Sequence, residues 1–137
     1  MNRTKAREYA FILTFEYKFQ PDDISEILEN FVEEYNPGAQ EGYIKKVVLS
    51  IKENCEQIDE IIEKFATGWT VKRMSTVSLS VLRLAVCEML YCDDIPPMVS
   101  LNEAILIGKV YGGEESAPFL NGVLSGIMHY LKEQNNG

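Results

Sequence analysis

Apolar residues recur at helical spacing along almost the whole chain, and no segment of useful length alternates apolar and polar residues at a period of two. Strands need that alternation or a short, turn-bounded apolar run, so the pattern predicts an all-α fold. The clearest segment follows Pro21 and Asp22. Ile24, Ile27, Leu28, Phe31, Val32 and Tyr35 fall at i, i+3, i+4, i+7, i+8 and i+11. Asp23 with Glu26 forms a candidate capping box ahead of them, and Asn36-Pro37-Gly38 ends the run. From Ile44 to Phe65 one apolar face persists for over six turns, which predicts either one long helix or two broken near Asn54.

Gly68 closes that run, and Trp69 opens a linker in which it is expected to anchor the core. Between about Thr76 and Cys92, Val77, Val81, Leu82, Leu84, Ala85, Val86, Met89 and Leu90 surround most of a helix, which predicts a central, buried element. Arg83 inside it needs a partner, with Glu88, Glu103 or a backbone carbonyl as candidates. Asp93 to Pro97 forces a turn. Ser100-Leu101-Asn102-Glu103 then reads as a capping box opening the next helix, which Gly112-Gly113 stops. Ser116 is a candidate cap for a last helix with Leu120, Val123, Leu124, Ile127 and Leu131 inward. On that helix Gly122 and Gly126, one turn apart, are expected to admit a close neighbour. The sum is about six or seven helices in one compact bundle spanning residues 1–137 as a single domain.

Composition narrows the function. At 137 residues, 46% hydrophobic and 25% charged, the chain matches an ordinary globular domain. Arg3, Lys5 and Arg7 precede an apolar stretch, but Glu8 and aromatics interrupt it, so neither a signal peptide nor a membrane span is expected and the expected compartment is the cytoplasm. Cys55, Cys87 and Cys92 lack CxxC spacing and read as core thiols, and the single histidine, His129, is expected to face solvent. No metal, no organic cofactor and no catalytic residue is therefore expected. The adjacent pairs Glu33-Glu34, Asp93-Asp94 and Glu114-Glu115 diverge on helices or lie in turns, where they solvate the surface. Gly112-Gly113 lacks the further glycines and the lysine of a phosphate-binding loop.

The net charge of −8 is unevenly spread: residues 1–18 carry +2, residues 19–63 carry −9 and residues 64–137 carry −1. At about 100° per residue, Arg3, Arg7, Phe11, Thr14 and Lys18 fall within an arc of about 80°. Ala6, Tyr9, Ala10, Leu13 and Tyr17 form the opposite, core-seeking face. A basic stripe holding an aromatic suits single-stranded RNA, whose bases stack on rings while phosphates meet cations; it also suits a plain solvated face.

A set of landmarks runs from Arg3 to the last helix: Lys5-Ala6-Arg7-Glu8, Ile58-Asp59, Trp69 with Arg73, Val81-Leu82-Arg83-Leu84-Ala85 with Glu88, Pro96, Asn102-Glu103-Ala104, Lys109 and Phe119-Leu120-Asn121-Gly122-Val123-Leu124. In their order and spacing they resemble the NusB family of bacterial transcription antitermination factors. The resemblance implies an all-helical fold of two three-helix or four-helix halves, without catalysis. It also implies binding to the boxA element of nascent ribosomal RNA jointly with NusE, a small-subunit ribosomal protein, in a complex that helps RNA polymerase pass terminators. On that resemblance Arg3, Lys5 and Arg7 fall at RNA contacts. Phe65 and Phe119 fall beside the RNA, with Glu115 and Ser116 on the same loop as Phe119, and Phe15 and Ser78 at the NusE contact. Thr4 stands where some members carry arginine, and Ser78 where members commonly carry an acid. The missing arginine at position 4 and the negative net charge imply weak RNA binding by the chain alone, and Ser78 implies a NusE contact that differs in detail from that of other members.

Two other classes are compatible with parts of the pattern. Ribosomal RNA cytosine methyltransferases carry a NusB-like domain, but 137 residues leave no room for the nucleotide-binding domain that performs their chemistry. A protein-only interaction module, or a homodimer that covers its own RNA face, is the stronger rival.

Overall fold

The computed structural model describes residues 1–136. Its helices are α1 (Arg3–Phe19), α2 (Ile24–Tyr35), α3 (Glu41–Phe65), α4 (Thr76–Tyr91), α5 (Pro97–Gly112) and α6 (Ala117–Asn136), with short 3-10 turns at Pro21–Asp23, Gly38–Gln40, Val71–Arg73 and Glu114–Ser116. The all-α expectation holds across the described residues. Local signals account for most boundaries. The Asn2 side chain accepts the Lys5 N–H at 2.8 Å and so caps α1. Asn36 ends α2 in the left-handed conformation at φ 45°, and Gly113 ends α5 at φ 89°.

Both readings of the long apolar run contain part of the answer. α3 runs continuously from Glu41 to Phe65, but Asn54 adopts φ −118°, ψ 23° and kinks it. The Asn54 amide donates to the Ser50 carbonyl at 2.9 Å, a side-chain bond that competes with the helical ladder and marks the kink.

The expected caps at Asp23, Ser100 and Ser116 do not form as such. Asp23 sits at the end of a 3-10 turn with φ −103°, ψ 3°, away from the extended backbone a capping side chain needs, and makes no cap hydrogen bond. Helix α5 starts three residues before Ser100, at Pro97, whose fixed φ suits a first turn. Ser100 is thereby carried inside, where its hydroxyl finds a tertiary partner. The Ser116 hydroxyl instead donates to the carbonyls of Gly108 (3.1 Å) and Gly113 (2.7 Å), tying the α5–α6 turn to α5.

Helix α4 is the hub. It packs against α1, α3, α5 and α6, and every residue from Leu79 to Glu88 is buried, as its all-round apolar pattern predicts. Helices α1, α2 and α3 contact one another, α4, α5 and α6 do likewise, and contacts of α1 and α3 with α4 join the two sets. Arg83 pairs with Asp59 of α3, at 2.9 Å from Nε and 2.8 Å from an Nη, and not with Glu88, Glu103 or a carbonyl. This fork-to-fork geometry makes the arginine a bridge between α3 and α4. Cys87 and Cys92 are buried and Cys55 is half-buried, all as free thiols. Burial pushes the Cys87 thiol up to about 12, which leaves it unreactive at neutral pH.

Of the two glycines on α6, Gly126 admits a neighbour: a Cβ there would lie 2.9 Å from the Phe65 ring. Gly122 faces open space. His129 is exposed, as expected. Trp69 departs from expectation, being 47% exposed and so no core anchor. No helix among the described residues is long and apolar enough to cross a membrane.

Candidate nucleic-acid interface

The stripe read on α1 faces inward over most of its length. Arg7 is 3% exposed, Phe11 and Thr14 are buried, and Thr14 donates its hydroxyl to the Ala10 carbonyl. The reason is Glu88. This α4 carboxylate has no exposed surface and receives Arg7 Nε at 2.8 Å, the Ser100 hydroxyl at 2.7 Å and the Tyr43 hydroxyl. Arg7 also lies 3.8 Å from Glu103. A buried carboxylate requires several donors, and α1, α3 and α5 each supply one. Burial opposes the Arg7 charge, but the hydrogen bond and charge of Glu88 outweigh it, leaving the guanidinium above its ordinary pKa. Burial and the Glu88 charge together raise the Tyr43 hydroxyl, so it remains a neutral donor.

Arg7 is therefore corrected from a member of an exposed basic track to an internal tie. Arg3 and Lys5 are left as the more accessible cations of the start. Arg3 stacks over Tyr43, 4.2 Å from the ring centre, and donates to Gln40 at 2.8 Å, while exposed Lys5 pairs with Glu8 at 2.8 Å. Helical period alone does not show this, because the outward face was assigned on the default that charges seek water. The Glu88 carboxylate overrides that default from 81 residues away.

The other candidate residues gather around the α3–α4 linker and the α5–α6 turn. Phe119 is half-buried and meets Trp69 edge-on, with ring centres 6.2 Å apart. Together with Met74, Ser75 and Ser78 these rings line a cavity of about 380 Å³. A second cavity of about 260 Å³, between Phe11, Ile12, Phe15, Val77 and Tyr111, lies on the neighbouring side of the α4 start. The structure thus brings Phe119 and Ser78 into one pocket and puts Phe15 beside Val77, the residue before Ser78. Glu115 is exposed on the turn that the Ser116 hydroxyl fastens. Phe65 stands apart from Phe119, half-buried between Gly126 and the Tyr130 ring at 5.4 Å, with Lys64 over Tyr130 at 4.0 Å. Trp69, like Arg7, lies opposite to its sequence expectation, with its indole open to solvent. The cue available was its position in a linker rich in cations, where an aromatic need not be inward.

This arrangement defines a class before it defines a family: an all-helical bundle whose exposed chemistry is that of a binding surface, rings and cations beside open pockets. Among the described residues no cluster of three or more His, Cys, Asp or Glu side chains is arranged to hold a metal ion. The family model described as NusB family matches residues 4–129, and the chain belongs to that family. It is 41% identical over 128 residues to transcription antitermination protein NusB of Thermoanaerobacter sp. (strain X514), covering 93% of this chain and 91% of the relative. Among solved structures, T. maritima NusB matches with a TM-score of 0.87 at 36% identity, over 94% of this chain and 92% of that one. A chain in the crystal structure of antitermination factors NusB and NusE in complex with dsRNA matches with a TM-score of 0.83 at 30% identity, over 95% and 99%.

Proposed function

We propose that this chain is a bacterial transcription antitermination factor that holds the boxA element of nascent ribosomal RNA jointly with NusE and so helps RNA polymerase pass terminators. Family membership and the similarity to a chain solved with NusE and double-stranded RNA support this reading. The observation that carries it is the shared pocket: Phe119, which the family resemblance implies beside RNA, and Ser78, which it implies at the NusE contact, line the same cavity. Arg3 and Lys5 supply phosphate contacts, and Phe65 and Phe119 supply ring faces. Glu115 and Ser116 shape the turn next to Phe119, and Phe15 and Ser78 receive NusE. Arg7 acts by positioning α1 from within. The role is binding, without a catalytic step or cofactor, in the cytoplasm where transcripts are made.

With a net charge of −8 and Arg7 internal, the chain alone offers RNA a short cationic track. A basic ribosomal protein beside it would lengthen that track. RNA affinity is therefore expected to rise when NusE is present, and by linkage NusE affinity is expected to rise by the same factor when boxA RNA is present. Both are measured at one fixed salt concentration. Equal RNA affinity with and without NusE would remove the joint surface. Absence of RNA binding in either case, with NusE still bound or with the chain self-associated, would establish the protein-only reading.

A further inference from the structure

We propose that Trp69 and Phe119, with Arg73 beside the indole, form a pocket that takes one unstacked base of single-stranded RNA. Trp69 is the chain's one tryptophan, and nearly half of it is open to solvent. Tryptophan is enriched at interfaces because its ring is apolar and its N–H polar. The Arg73 guanidinium lies 5.8 Å from the centre of its ring, and the Phe119 ring closes the adjacent side at an interplanar angle of 66°. Ser75 and Ser78 line the same cavity; the Ser75 oxygen caps α4 by accepting the Ser78 N–H at 3.1 Å, and both hydroxyls can donate along a base edge. The cavity, about 380 Å³, falls within the roughly 300–1,000 Å³ of small-molecule sites.

The pocket is built in advance. The Trp69 N–H donates to the Ala66 carbonyl at 2.8 Å, and the Val71 N–H donates to the Glu63 carboxylate at 2.7 Å. The Arg73 and Met74 N–H groups bond to Thr70 and Val71, and the Met74 side chain is buried beneath. A linker fixed at so many points holds the indole in place, so little ordering entropy opposes binding.

Charge selects the occupant. From Lys64 to Cys87 the chain contains no Asp or Glu, its longest such stretch, and Lys64, Lys72 and Arg73 lie within it. In a protein of net charge −8 this is a local reversal of sign. Of the acids nearby, Glu63 is engaged with the linker backbone, while Glu114 and Glu115 stand exposed on the turn that precedes Phe119. Arg73 beside an open indole–phenyl corner matches a nucleic acid strand, whose phosphate meets the cation while a base stacks on the ring. A duplex keeps its bases stacked internally and would reach only the cations.

This inference rests on the RNA reading above, and the test separates the two. Single-stranded boxA RNA, and a duplex of the same sequence, are titrated into the chain with NusE. Fluorescence is read against the Trp69→Phe complex as blank, and affinity from labelled RNA. The expected result is saturable quenching of Trp69 by the single strand but not by the duplex. Trp69→Ala should weaken single-strand affinity roughly 5- to 150-fold, the range of base–aromatic stacking, with an unchanged salt slope. Trp69→Phe should retain most of the affinity, and Arg73→Ala should lower the slope by about 0.7. An unchanged urea midpoint confirms that Trp69→Ala folds. Full RNA affinity in Trp69→Ala with silent fluorescence would overturn the pocket and leave the RNA reading intact. Lost NusE affinity with undiminished RNA affinity would reassign it to the protein partner. No RNA binding by the unaltered complex would overturn both.

Discussion

Two arginines of this protein sit over aromatic rings at nearly the same distance, Arg7 at 5.7 Å from the centre of Tyr43 and Arg73 at 5.8 Å from the centre of Trp69. Their surroundings are opposite. Arg7 is sealed among α1, α3, α4 and α5 against a carboxylate with no exposed surface, whereas Arg73 and its indole lie on an open linker. A cation over a ring is therefore not itself a recognition feature. The buried counter-charge decides: with Glu88 present the arginine is neutralised and becomes part of the scaffold, and without such a partner its charge is left for a ligand.

The largest effect should come from breaking the sealed member. Arg7→Ala leaves Glu88 buried without its cation, and stability measured by urea unfolding should fall by about 3 to 5 kcal/mol. The equivalent change at exposed Arg73 should stay within about 0.5 kcal/mol. Equal losses at the two sites would erase the contrast. A smaller loss, roughly 1.5 to 3 kcal/mol, is expected for Ser100→Ala, which removes one hydrogen bond to the charged Glu88. A neutral result there would mean that water readily replaces the hydroxyl and that the network is less closed than its burial implies. Smallest in stability is Lys5→Ala, which removes only a solvent-screened ion pair and should leave the urea midpoint unchanged. Its signature should lie in RNA binding, as a salt slope lower by about 0.7. An unchanged slope would confine the RNA track to the linker side of the molecule.

What could be read in the sequence was local. The ends of α2 at Asn36 and of α5 at Gly113, the span of α4 and the kink at Asn54 all follow from breakers and periodicity within a few residues. What could not be read depended on residues far along the chain. Ser100 reads as a cap because Glu103 stands three residues on, but Glu88 claims its hydroxyl. Arg83 finds Asp59 in preference to acids closer in sequence, because the α3–α4 packing angle places that carboxylate beside it. Arg7 reads as surface for the same reason. The one tryptophan reads as inward by type, but its linker lies at the surface together with Lys72 and Arg73. Gly122 and Gly126 are alike in sequence, and only the position of Phe65 distinguishes them.

The span between Arg7 and Glu88 also sets an order of events during synthesis. The two residues are 81 positions apart, and chains grow at about 5 to 20 residues per second, so roughly 4 to 16 seconds separate their additions. Until α4 has left the ribosome, Arg7 has no Glu88 carboxylate to dock on. Of the cations on that side of α1, the finished protein folds away Arg7, exposed until then, while Arg3 and Lys18 keep part of their surface open. Docking of α1 onto α4 is the step that ends that exposure, and Ser100 must follow before the Glu88 network is complete.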